Sequence, residues 1–184
     1  MSTTLKNLSG TYTLDPSHSR IGFVARHAMV TKVRGAFNGV AGTATIDGAN
    51  PVASDLKVEI DAATIDTRDA GRDGHLRSAD FLDAETFPKL TFDATGFEIT
   101  APDVVEVTGE LTIKDTTRPI TIPFTFEGQA KDPFGNERIG FEGATTISRK
   151  EWGLVWNAAL ETGGVLVGDK VTLEFEVSAI KAAA

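Results

Sequence analysis

Along most of the chain, apolar and polar residues alternate with the period of a strand. Ile21, Phe23, Ala25 and His27 share one face, and Arg20, Gly22, Val24 and Arg26 the other. Val33, Gly35 and Phe37 repeat the pattern, and Leu56, Val58 and Ile60 alternate with Lys57, Glu59 and Asp61. It returns in Leu90, Phe92 and Ala94, in Val105 to Ile113, and in Ile120, Ile122, Phe124 and Phe126. Ile139, Phe141, Gly143, Thr145 and Ile147 follow, and Val171, Leu173, Phe175 and Val177 close the series. Turn residues separate these runs, as at Asp47-Gly48, Lys114-Asp115-Thr116 and Asp132-Pro133-Phe134-Gly135-Asn136. About eight strands with one apolar face describe an antiparallel sheet solvated on one side. Long helical patterns are absent, so the apolar face must be buried by closure into a barrel or a two-sheet sandwich.

The alternation fails once, in HLRSADFLDAETFPKLTF, from His75 to Phe92. Asp66 or Thr67 is placed to cap a helix beginning near Arg68, and His75, Leu76 and Ala79 form a narrow apolar stripe. With Gly71 and Gly74 such a helix is weak alone. Residues 68–88 therefore read as a cap across one barrel end, anchored by Phe81 and Phe87. Burying one phenylalanine stabilises by roughly 1.5–3 kcal/mol. A plain crossover between strands is the blander reading and is compatible with a cap.

The 184 residues suit one domain, with residues 1–11 and 182–184 as tails around a body at 12–181. The chain has no cysteine, which excludes disulfides and thiolate metal sites. A net charge of −8 disfavours nucleic acid and anionic lipid headgroups as partners. No run is long and apolar enough for a signal-peptide core or a membrane span, so the chain reads as soluble and cytoplasmic. A homodimer is left open.

The histidines, His18, His27 and His75, lack metal-ligand spacing, and no metal is expected. A histidine buried and hydrogen-bonded between cap and strands is the favoured reading. Asp66, Asp69 and Asp73 with Arg68, Arg72 and Arg77 look like charge pairs on a solvated helix face. Asp80 and Arg149 are candidates for a buried ion pair. No nucleophile elbow, P-loop or dinucleotide fingerprint is present.

Several segments, in order, resemble the YceI-like family. DPSHSRIGFVARH is similar to its opening D-x-x-H-S-x-I-x-F-x-x-x-H, and VRGAFNGVAG to its V-x-G-x-F segment. IDTRDAGRDGHLRSADFLDAETFPKLTF resembles its most specific signature. VTGELTIKDTTRPI, ISRKEWGL and VGDKVTLEFEVSAI resemble three later ones. The likeness runs from about Tyr12 to Lys181. Asp115 stands where the family often has glycine, and Leu82 replaces a second phenylalanine. Many members carry an export signal.

The resemblance implies an eight-stranded antiparallel, lipocalin-like barrel with an elongated apolar cavity. A polyisoprenoid, an isoprenoid quinone or a fatty-acid-like lipid would be its ligand, with no cofactor required. The side chains expected to line it are Ile21, Phe23, His27, Phe37, Val58 and Ile60 from the first strands. Leu76, Phe81 and Phe87 come from the cap, Phe92, Leu111, Phe124, Phe141 and Phe175 from later strands, and Trp156 from the mouth, with Val155 and Leu160. Small residues on the same face, Gly35, Gly109 and Gly143 among them, are expected to leave room. A lipid-binding module rather than an enzyme is the leading expectation. Its rivals are an enzyme using His18 or His27 with Asp66, and a packed structural or stress-response barrel.

Overall fold

A computed structural model describes residues 4–183. Its strands are β1 (Ser9–Leu14), β2 (Arg20–His27), β3 (Thr31–Phe37), β4 (Val40–Asp47), β5 (Asp55–Asp61) and β6 (Ile65–Asp66). After the helix α1 (Ala70–Arg77) come β7 (Lys89–Ala101), β8 (Val104–Ile113), β9 (Thr116–Lys131), β10 (Glu137–Ser148) and β11 (Val167–Lys181). The order β1-β4-β5-β7-β8-β9-β10-β11 closes on itself through β1 and β11, an eight-stranded antiparallel barrel. No helix among the described residues is long and apolar enough to cross a membrane.

The first three strands of the ring are each broken in two, so the first six strand segments do the work of three. β1 and β2 lie end to end on β11, with Tyr12 opposite Lys181 and Ile21 opposite Phe175. Likewise β3 and β4, and β5 and β6, continue one another. The breaks fall side by side: a 3₁₀ turn at Pro16–His18, the pair Asn38-Gly39, and a 3₁₀ turn at Ala62–Thr64. Polar bonds stitch the second to the third. Asp61 N donates to Gly39 O at 2.8 Å, Gly39 N to Thr64 Oγ1 at 2.9 Å, and Asn38 N to Thr64 O at 3.3 Å. A Cβ at Gly39 would stand 2.8 Å from the Asp61 carboxylate and 2.9 Å from Thr64 Cγ2, so a larger residue here would have to push those side chains aside.

Closure is incomplete between β9 and β10, besides the outer edge of β3, where Thr31–Gly35 pair with β2 alone. β9 and β10 pair from Lys131 and Glu137 as far as Phe124 and Gly143, and there the ladder stops. Thr116–Pro123 and Ala144–Ser148 are held by β8 and β11 but not by each other. Pro119 and Pro123 stand in that stretch of β9, where a residue without an N–H is tolerated because one edge is free. The resulting cleft has Ile120, Ile147 and Trp152 in its lining, and Arg118 Nε donates to Glu151 O at 2.7 Å.

Inward alternation is kept through the wall. Ile21, Ile60, Phe92, Leu111, Ile122 and Phe124 are buried in the main core, and Phe23, Leu56, Val58, Phe141, Leu173 and Phe175 pack against it. A second cluster fills the end far from α1: Leu5, Leu8, Tyr12, Phe126, Ile139 and Ala179. Residues 4–11 are therefore no tail. Leu5 and Leu8 are buried, and Ser9–Thr11 belong to β1.

The cap differs from expectation in detail. Asp69, not Asp66 or Thr67, caps α1, its carboxylate accepting from Arg72 N at 2.9 Å. The reason is Asp73, which the sequence placed on a solvated face. It is buried, and its Oδ1 accepts from Thr67 N at 2.8 Å and Thr67 Oγ1 at 2.6 Å, tying the strand exit to the helix. Ala79 is exposed. Leu82 and Ala84 enter the main core instead, so the segment after the helix docks the cap.

Candidate functional site

The interior of the barrel holds a cavity of about 220 Å³. It runs from Leu90 and Ile113 near the cap to Leu5, Leu8 and Pro51 at the opposite end. Its walls are almost wholly apolar, because every second residue of each strand points inward. Asp47, Ser54 and Asp55 border it at the β4–β5 connection, but Asp47 and Asp55 alternate with the inward Ile46 and Leu56 and so take the outward face of their strands. That connection is braced by Asp47, whose N donates to Ser54 Oγ and whose carboxylate accepts from Asn50 N, both at 2.9 Å. Tyr12 also lines the cavity. It is 1% exposed, and burial, helped by the charge of Glu137, pushes its phenol pKa up. The hydroxyl is therefore neutral at physiological pH.

Rings form much of the wall. Phe124 meets Phe175 at 5.8 Å and Phe141 at 6.5 Å, centroid to centroid. The interior glycines do not simply leave room. They seat rings from neighbouring strands: a Cβ would stand 2.4 Å from Phe23 at Gly35, 2.4 Å from Phe92 at Gly109 and 2.7 Å from Phe124 at Gly143.

Of the side chains singled out from the sequence, Ile21, Phe37, Val58, Ile60, Phe92, Leu111, Phe124, Phe141 and Phe175 border this cavity. Six do not. Phe23 packs beside Phe37 at 5.9 Å and lies over Gly35. His27 is exposed at the end of β2, so it is not the buried histidine the alternation suggested. Leu76, Phe81, Phe87 and Trp156 do not border the cavity: Leu76 packs against the main core, and Phe81 and Trp156 form an aromatic layer at the cap. There His75 stands between Phe81, at 5.1 Å, and Trp156, at 4.5 Å, both edge to face. Phe81 is buried and holds the cap to the loop before β11, whereas Phe87 is only half-buried. Leu5, Leu8 and Tyr12 were missed as lining residues; the apolar pair Leu5 and Leu8, three apart, was the available signal.

The polar expectations also change. Asp80 is exposed and bonds His75 Nε2 at 2.9 Å, so it forms no pair with Arg149. Arg149 is buried and serves main-chain carbonyls instead: Leu154 at 2.6 Å, Gly168 at 2.9 Å, Trp156 at 3.0 Å and Val167 at 3.3 Å. Asp169 lies 3.7 Å away, and burial lowers the guanidinium pKa. His18 is exposed against Asp15 and Ser17, and Asp66 bonds Asn38 and Arg68 N. The constellation of His18 or His27 with Asp66 is not assembled.

Comparisons with known proteins agree with this architecture. The model of the YceI-like domain matches residues 12–179. A UPF0312 protein of Azotobacter vinelandii is 36% identical over 149 residues, 80% of this chain and 78% of the relative. One of Pseudomonas aeruginosa is 39% identical over 137 residues, 74% and 71%. Among solved structures, BcnA of Burkholderia cenocepacia superposes with a TM-score of 0.79 at 24% identity, covering 90% of this chain and 98% of that one. The YceI protein of Campylobacter jejuni gives 0.74 at 28%, covering 86% and 90%. A polyisoprenoid-binding domain from Saccharophagus degradans gives 0.72 at 15%, covering 93% and 98%. With the eight-stranded ring, its apolar interior and a family match across nearly the whole barrel, the chain belongs to the YceI-like domain family.

Proposed function

We propose that the barrel binds a long-chain isoprenoid or similar amphiphilic lipid and sequesters or carries it, acting as a binding module rather than as an enzyme. The observation that carries this reading is the apolar cavity itself, enclosed by phenylalanine and aliphatic side chains along the barrel. Each methylene moved from water into it contributes about 0.8 kcal/mol. A head group would lie at an end of the cavity, and the β4–β5 connection, bordered by Ser54, is the end away from the cap. Apolar walls with almost no polar partner favour an uncharged head, as of a polyprenol or quinone, over a carboxylate. The structural neighbour described as a polyisoprenoid-binding domain supports the same class of ligand.

Native mass spectrometry of protein purified without added lipid tests the reading. A retained hydrophobic mass, or uptake of an added polyprenol, is the expected result. Val177→Trp, which adds bulk to the cavity wall, should abolish it while the thermal unfolding curve stays cooperative. A wild-type protein that carries nothing and takes up no polyprenol would overturn the proposal.

A further inference from the structure

The hairpin between β2 and β3 ends in an unfavourable turn. Val30 N donates to His27 O at 3.0 Å, and the two central residues, Ala28 and Met29, have φ of 50° and 62°. Two positive φ values in succession are the pattern of a type I′ turn, whose preferred residues are Asn-Gly. Alanine and methionine hold it here against local preference. The strained turn puts apolar side chains in water: Met29 is 63% exposed and Val30 75%. Beside it runs the loop before β11. Ala28 N donates to Leu166 O at 2.7 Å, and a Cβ on Gly164 would stand 2.2 Å from Met29 Sδ. That loop adds exposed Val165, next to Gly164. Single exposed apolar residues are ordinary, but a cluster built around a strained turn is not.

Charge says what the cluster faces. Behind the tip, Arg26 and Lys32 stand directly opposite each other across the two strands, and both are exposed. Like charges at opposed positions destabilise a sheet. Neither has a carboxylate within ion-pair distance among the described residues. On the adjoining segment, Asp169 is already held by Lys150 at 3.1 Å, and Glu161 is exposed. A chain of net charge −8 thus keeps two uncompensated cations one step behind an apolar tip. The tip is a protruding hairpin, not a groove that would take a peptide or helix.

We propose that this end of the barrel docks on an anionic lipid bilayer. Met29 and Val30 enter the interface, and Arg26 and Lys32 meet the phosphates around them. The surface is separate from the cavity, and empty vesicles suffice to test it.

Flotation with vesicles of phosphatidylcholine, and of phosphatidylcholine with phosphatidylserine, measures the partition. Wild type should bind the serine-containing vesicles and lose binding as salt rises. Ala28→Asn with Met29→Gly installs the preferred turn, so the fold is kept while the apolar tip is lost. This variant should bind at least tenfold more weakly. Arg26→Ser and Lys32→Ser should weaken binding about fivefold each. A wild type that ignores anionic vesicles would overturn the proposal, as would a relaxed-turn variant that binds as well as wild type. Loss of self-association in that variant, with no vesicle binding in either protein, would assign the tip to a second copy of the chain instead.

Discussion

Phe81→Ala should loosen the cap at its outer layer. The ring is 6% exposed and touches His75 at 5.1 Å and Trp156 at 5.4 Å, so its removal opens a void between α1 and the loop before β11. Truncating a buried phenylalanine costs about 3–5 kcal/mol, and paired aromatics add about 0.5–1.5 kcal/mol to their burial. Trp156 is itself half-buried and can settle into part of the space, which places the expected loss near 3 kcal/mol. Phe87→Ala is the matched comparison. Its ring is half-buried, so about 1 kcal/mol should be lost. Urea denaturation with a shared slope gives both differences. Amide exchange locates them, and protection should fall in α1 first while β7 to β10 keep theirs. Equal losses for the two variants, or a loss below about 1 kcal/mol for Phe81→Ala, would refute the assignment of Phe81 as the anchor.

Two further outcomes follow from the polar contacts. Arg149→Met strands carbonyls that one buried guanidinium now serves, at about 1–3 kcal/mol for each one left without a partner, so it should cost at least about 3 kcal/mol and open residues 153–166 to proteolysis; an intact loop with a small loss would show the contacts to be dispensable. Arg138 bridges Asp15 at 2.6 Å and Asp132 at 2.7 Å. Bonds from Arg138, then Ser17 and His18, hold the Asp15 carboxyl well below the usual range, and bonds from Asn136 and Arg138 do so for Asp132. Depressed folded-state pKa values stabilise above the unfolded value of about 3.9, and that stability is lost as pH falls below it. In Arg138→Gln, melting temperature should therefore fall less steeply from pH 5 to 3 than in wild type, and parallel curves would contradict the linkage.

Strand positions were legible because one buried face forces period two, and no register slip is possible without turning Ile21 or Phe92 outward. The breaks at Asp15–Ser19, Asn38-Gly39 and Ala62–Thr64 were not, because each depends on its neighbour across the sheet. Alternation shows which face a residue takes but not whether a partner reaches the middle. Phe23 and Phe37 therefore looked equivalent, yet Phe37 alone borders the cavity. Asp73 and Arg149 misled for a related reason: Asp73 is held by the main-chain N and the hydroxyl of Thr67, and Arg149 by main-chain carbonyls of the loop before β11 and of that strand's first residues, none of which alternation reveals. Net charge hid Arg26 and Lys32, since a sum says nothing about where its terms lie.

The seam between β9 and β10 bears on how the molecule behaves in a crowd. A ring of strands ordinarily has no edge on which a foreign chain could grow, and this one keeps a short length of edge on each side of the gap. Pro119 and Pro123 remove two amide donors from the β9 side. Arg118 sets a cation beside them and ties across to Glu151. On β10 the unpaired stretch is only Ala144–Ser148 before the chain turns into its 3₁₀ segment. The opening is thus guarded against cross-β growth, and replacing both prolines with threonine would hand an aggregate the template that the native sequence withholds.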